Sequence, residues 1–267
     1  MEPKKPSVLH KLRRSLSERG VVETIRVCRD NVRWFLHEHS QARQQYKSQE
    51  LSFDREFGVE TTANVPLGEL TIVGENKNFG GMYTPASVEN VQKILSESGI
   101  DFTRFSFIDV GCGKGRVLLA AAHYPFRQVI GVEFGLELCK IAEENIRKYH
   151  HPDQRCFALT VHWADASAYE WPEDDLFLFM YNPFDVPVME PVLANLRKSL
   201  IHSPRKMIVL YLNPTLKHLF DDCDFLKLMR SDQLHDPIIG SCSYAMYESV
   251  NPAADVITVT SKITGSE

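Results

Sequence analysis

The residues best suited to chemistry form one short run, Phe107-Ile108-Asp109-Val110-Gly111-Cys112-Gly113-Lys114-Gly115-Arg116, in which an apolar stretch leads through an acid into three alternating glycines. Such a run reads as a strand turning into a helix, and glycines at the turn let the backbone approach a ligand with no Cβ in the way. The spacing selects among ligands. A dinucleotide fingerprint, G-x-G-x-x-G, needs a glycine where Arg116 stands, and there is no G-x-x-x-x-G-K-[ST] sequence to cradle phosphates. A carboxylate two residues ahead of the first glycine adds negative charge beside the loop, which suits a ligand bearing a cation and an ammonium better than one bearing pyrophosphate.

Two more acids close the next expected strands. Val129-Ile130-Gly131-Val132-Glu133 places a carboxylate 18 residues after Gly115, where it can accept hydrogen bonds from both hydroxyls of a ribose. Trp163-Ala164-Asp165-Ala166 offers an acid for an exocyclic adenine amine, with apolar neighbours to sandwich the ring. Three acids at successive strand ends describe a nucleoside site with a positively charged tail, and S-adenosylmethionine has that chemistry. The alternatives are a solvated strand-end acid for Glu133 and a simple turn cap for Asp165. Lys114 and Arg116 read as loop-surface or salt-bridge residues, Cys112 as a packed loop residue rather than a nucleophile, and Trp163 as core.

These groups need a scaffold. The chain has 267 residues, 43% of them hydrophobic, enough for a real core. From about residue 100, strand-like runs (105–110, 128–133, 159–163, 176–181, 207–212) alternate with helical ones (117–123, 136–149, 188–201), and late strands are expected at 244–250 and 255–261. That alternation implies a parallel sheet covered on both faces. Ahead of it, Thr84-Pro85 supplies an N-cap and a proline at the first position of a helix carrying Val88, Val91, Ile94 and Leu95 on one side. Residues 1–50 differ in kind. They hold 11 Lys and Arg against 6 Asp and Glu, whereas the rest hold 19 against 29. Their apolar residues recur at helical spacing, so 1–50 is expected to be a basic amphipathic helical extension and 51–267 the main domain. The extension either packs its stripe on that domain or touches nucleic acid, an acidic partner or a membrane surface.

Phe53-Asp54-Arg55-Glu56-Phe57-Gly58-Val59, Tyr83-Thr84-Pro85, Phe107 to Leu119, Tyr124-Pro125-Phe126, Gly131-Val132-Glu133-Phe134 and Tyr181-Asn182-Pro183-Phe184 together carry a resemblance. Over most of residues 51–250 the chain resembles the class I, seven-stranded S-adenosylmethionine-dependent methyltransferases, and within them a group of bacterial methyltransferase-like proteins. The resemblance implies a Rossmann-like doubly wound α/β sheet in the order 3-2-1-4-5-7-6. It implies that Asp109, Gly111, Gly113 and Gly115, with Cys112 in the same loop, line the methionine and ribose side, that Glu133 holds the ribose, and that Asp165 and Ala166 meet adenine.

The methyl acceptor is expected where the fourth strand empties into Asn182-Pro183-Phe184-Asp185. In methyltransferases that act on amines, an acidic or Asn residue followed by Pro-Pro and an aromatic stands here to orient the nitrogen; this chain has one proline. The other reading is that Asn182-Pro183 only terminates a buried strand. Tyr83 is either a lid or acceptor contact or a core residue. Nitrogen is expected as the target atom ahead of oxygen, on a small molecule or a protein, because the acidic main domain disfavours nonspecific nucleic-acid binding. The competing reading is a non-catalytic binding module acting through its N-terminal helices. The six scattered cysteines lack a C-x-x-C pair, so neither a metal site nor a disulfide framework is expected. With no apolar run near the roughly 18 residues of a membrane span and no secretory signal, a cytoplasmic location is expected.

Overall fold

A computed structural model describes residues 48, 51–63, 65, 70–74, 85–236 and 240–250. The chain divides into two units, 1–50 and 51–267, and the sheet belongs to the second. The expected N-terminal helices, Tyr83, Thr84 and the strand expected at 255–261 lie outside the described residues.

The apolar run Phe105–Val110 forms β1, buried at every position. It pairs in parallel with β2 (Gln128–Glu133) on one side and with β4 (Asp175–Tyr181) on the other. Beyond β2 lies β3 (Leu159–Trp163), beyond β4 lies β5 (Met207–Leu212), and both additions are parallel. An antiparallel hairpin of β6 (Leu226–Asp236) and β7 (Gly240–Ser249) docks through β7 onto β5. The sheet therefore runs β3-β2-β1-β4-β5-β7-β6, the expected order.

Continuous apolar strands suit this sheet because each face is covered, and successive side chains enter opposite cores. Phe107, Phe177, Phe179 and Leu210 pack with Val91, Leu95 and Leu118 on one face. Ile108, Leu178, Met180 and Val209 pack with Val188, Val192 and Leu196 on the other. The second cluster draws on helix Val186–His202, the first on helices Val88–Glu97 and Arg116–Ala121.

Three local expectations are corrected. The helix expected to start at Thr84-Pro85 begins at Val88, capped by the Ser87 hydroxyl, which accepts from the Asn90 N–H at 3.2 Å. Trp163 is 44% exposed rather than core, because β3 is an edge strand; its indole N–H donates to the Phe134 carbonyl at 2.8 Å. The run at 244–250 belongs to β7, and β6 was not anticipated. Nearly all of β6 faces solvent, so it shows no apolar alternation and depends on backbone pairing with β7. Among the described residues, no helix is long and apolar enough to cross a membrane, and no group of three or more His, Cys, Asp and Glu is arranged to hold a metal.

Candidate functional site

The parallel strands β1, β2, β4 and β5 all end on one edge of the sheet, and residues at or next to their ends line a cavity of about 300 Å³. Open α/β sheets bind ligands at this edge, where the connections diverge to opposite faces. The turn after β1 is held by the N–H groups of Gly111 and Cys112, which both donate to the Val132 carbonyl, at 2.8 and 3.2 Å. Gly111 has φ +81° and faces the next turn so closely that a Cβ there would stand 2.9 Å from Pro183 Cβ. The loop glycine and the proline turn after β4 are thus neighbouring walls of one cavity.

Of the residues singled out in the sequence, Asp109, Gly111, Cys112, Gly113, Glu133, Asn182, Pro183 and Phe184 line this cavity. Gly115 does not. It adopts φ +80° as the residue before helix Arg116–Ala121. Asp165 caps the turn Ala166–Ala168, accepting from the N–H and hydroxyl of Ser167 at 2.9 and 2.7 Å. Asp165 and Ala166 are outside the cavity's described lining.

The two carboxylates in the wall are held differently. Glu133 is 3% exposed, and its oxygens accept from the N–H of Gly113 and the N–H of Gly135, each at 2.9 Å. Burial raises its pKa, and these backbone donors oppose the rise. A carboxylate offers about four acceptor positions, so beyond its backbone donors, Gly113, Gly135 and Phe134, Glu133 keeps acceptor capacity for a ligand hydroxyl. Asp109 is equally buried, and among the described residues no donor reaches its carboxylate. Burial, reinforced by the neighbouring charge of Glu133, holds its carboxyl well above the usual carboxylate range. A buried carboxylate in that state gains most from a cation.

Sequence reasoning missed the segment carrying Glu60, Thr61, Val65 and Leu70, which packs on the glycine loop and reaches the cavity wall. Lys114 and Arg116 are buried, so of the two readings loop-surface fails for both, while the salt-bridge reading holds for Lys114. Lys114 pairs with Glu60, and Arg116 donates to the Thr61 hydroxyl at 2.9 Å with its guanidinium 5.1 Å from the Phe53 ring centre. Asn145 clasps both parts, accepting from the Glu60 N–H at 2.8 Å and donating to the Lys114 carbonyl at 2.9 Å. The chain then supplies Val65 and Leu70 to the cavity wall and pairs with the loop after β2, Val73 N–H to the Phe134 carbonyl at 3.1 Å and Leu136 N–H to the Thr71 carbonyl at 2.9 Å. The available signal was Phe53 to Val59, which carried the resemblance without a stated role. Also missed were the apolar Phe134 and Leu138 and the polar Asn213.

Residues 108–200 match a family model described as a methyltransferase domain. No curated protein matches the chain. Among solved structures, the chain is similar to TrmN from Thermus thermophilus, at 16% identity and TM-score 0.45 over 61% of this chain and 48% of that one. It is also similar to an RNA methyltransferase from Salinibacter ruber in complex with S-adenosyl-L-homocysteine, at 17% identity and TM-score 0.41 over 62% of this chain and 94% of that one. A third similar structure is the glycopeptide N-methyltransferase MtfA complexed with S-adenosyl-L-homocysteine, at 12% identity and TM-score 0.48 over 67% of this chain and 94% of that one. The chain spans about half the length of TrmN. The cavity's donor set fits the cation-bearing nucleoside that the sequence leads one to expect. Asp109, which no donor reaches among the described residues, is available to a cation, Glu133 has acceptor capacity left for a diol, and apolar Phe134 and Leu138 stand beside them.

Proposed function

We propose that the chain is a class I, S-adenosylmethionine-dependent methyltransferase and that it methylates a nitrogen of a small-molecule or protein acceptor admitted beside the Asn182-Pro183-Phe184 turn, a reading supported by the methyltransferase-domain match over residues 108–200 and by the order of the sheet. In this reading Asp109 faces the cationic end of the cofactor, the loop from Gly111 through Gly113, including Cys112, admits its backbone, and Glu133 accepts the ribose hydroxyls. Gly115 acts one step removed, giving the following helix its left-handed start. Phe134 and Leu138 flank the adenine, with Asp165 and Ala166 at its far end and Tyr83 on the acceptor side. Residues 1–50 are assigned as a basic helical extension of the catalytic domain, 51–267.

The cofactor supplies an activated methyl carbon; the chain's residues position what meets it. The observation that carries nitrogen ahead of oxygen is the chemistry of the acceptor end. Its polar side chains among the described lining residues are Tyr181, Asn182 and Asn213, beside Pro183 and Phe184. Amides orient a nucleophile by hydrogen bonds and remove no proton from it. A neutral nitrogen needs only orientation to present its lone pair, whereas a hydroxyl gains from a base as it attacks. Labelled methyl groups from S-adenosylmethionine are expected to appear as base-stable N-methyl products in the small-molecule or protein fraction of a cell extract. Label confined to O-methyl esters or ethers, or to RNA, contradicts this reading.

A further inference from the structure

Among the described residues, the two non-glycine residues with positive φ are both asparagines, Asn182 at +45° and Asn213 at +50°. They occupy equivalent places. Tyr181 and Leu212 are the last register partners of β4 and β5, and each asparagine is the residue that follows. Both line the cavity. Asparagine tolerates the left-handed region better than other side chains do, so these two turns present an amide where most residues would be strained.

Their side chains are in different states. The Asn182 amide oxygen accepts from the Tyr211 hydroxyl at 3.1 Å and from the Thr215 hydroxyl. Tyr211 is fully buried, and its oxygen in turn accepts from the Leu216 N–H at 3.3 Å. The oxygen of Asn182 is therefore committed to the protein, leaving its NH₂ group to a ligand. Asn213 is anchored through its backbone alone, its N–H donating to the Ser243 carbonyl at 2.7 Å. Among the described residues its side-chain amide has no partner, so both its carbonyl oxygen and its NH₂ are available.

We propose that Asn213 is the specificity-determining contact for the methyl acceptor, taking an uncharged group that presents a hydrogen-bond donor and a hydrogen-bond acceptor side by side, as a carboxamide edge does. The proposal rests on the methyltransferase reading above and deepens it. An amide meets such an edge with two complementary hydrogen bonds, while a charged ammonium or carboxylate leaves one of its two functions unmatched. Asn182, fixed by Tyr211 and Thr215, adds a donor beside it.

The backbone conformation dictates the test. Alanine at φ +50° would strain the turn, whereas Asn213→Gly keeps the left-handed backbone and removes only the amide. Asn213→Asp keeps the shape and removes the donor. Each variant is titrated with S-adenosyl-L-homocysteine and assayed for transfer of tritiated methyl from S-adenosylmethionine into extract of cells lacking the gene, fractionated into small molecules, protein and RNA. Both variants are expected to bind S-adenosyl-L-homocysteine as the wild type does, and to transfer label to the wild type's target at least about tenfold more slowly. Wild-type transfer rates in both variants overturn the proposal, as does a loss of S-adenosyl-L-homocysteine affinity equal to the loss of rate, which would put Asn213 on the cofactor instead. Absence of label from every fraction with the wild-type protein overturns the methyltransferase reading itself, and the proposal with it.

Discussion

Glu133→Ala is expected to lower the affinity for S-adenosyl-L-homocysteine about a hundredfold or more, since two hydrogen bonds donated to a charged acceptor contribute about 1.5–3 kcal/mol each. The same carboxylate also holds the site together. Its two oxygens are the partners of the Gly113 and Gly135 N–H groups, one on each loop that forms the cavity. Removing it orphans two buried donors at a cost of about 1–3 kcal/mol each, so the variant's melting temperature falls as well. Glu133→Gln separates the two effects. It keeps the volume and one carbonyl acceptor, so it recovers part of the stability but little of the affinity, because one oxygen has become an NH₂ group facing a donor. Calorimetric titration below the melting temperature of each variant checks this. An alanine variant that binds as tightly as the wild type would remove Glu133 from the nucleoside site.

Asp109→Asn is expected to act with opposite signs on stability and on cofactor affinity. The folded protein raises the carboxyl's pKa far above its unfolded value of 3.8, through burial first and the charge of Glu133 second. Between the unfolded and folded pKa values the folded state binds more protons, so ionisation of Asp109 lowers stability as pH rises through that window. The asparagine variant lacks this loss. Its melting temperature relative to the wild type therefore climbs with pH, by about 2–4 °C for each kcal/mol removed. Ligand binding reverses the sign. A cationic ligand favours the ionised carboxylate, so wild-type affinity for S-adenosylmethionine rises through the same pH window and binding releases a proton, visible as a heat that depends on the buffer. The variant is expected to bind more weakly and with no such pH dependence. Equal affinities and identical pH profiles for the two proteins would show that Asp109 does not face the cation.

How much was legible in the sequence follows from what each element rests on. Strands β1, β2, β4 and β5 are apolar runs because both faces of the sheet are covered, and a run bounded by Gly, Asp or Asn-Pro shows where it ends. The site residues at those ends could be placed by counting from the glycines, which is why Asp109 and Glu133 come together as expected. Features that depend on partners distant in sequence were invisible. The burial of Lys114 and Arg116 is decided by Glu60 and Thr61, more than 50 residues upstream. The exposure of Trp163 is decided by its strand having a neighbour on one side only. β6 carries its specification in the backbone groups of β7, and Asn213 owes its place to the register of β5 beside β4. A lone asparagine before a proline otherwise reads as an ordinary turn.

The most direct test of the account is titration of the wild-type protein with S-adenosyl-L-homocysteine in a calorimeter, paired with a thermal melt. Saturable one-to-one binding is expected, with a rise in melting temperature that grows with ligand concentration and amounts to about 2.7 kcal/mol of added stability at a hundredfold excess over the dissociation constant. No heat of binding and an unmoved melting curve at millimolar ligand would contradict it.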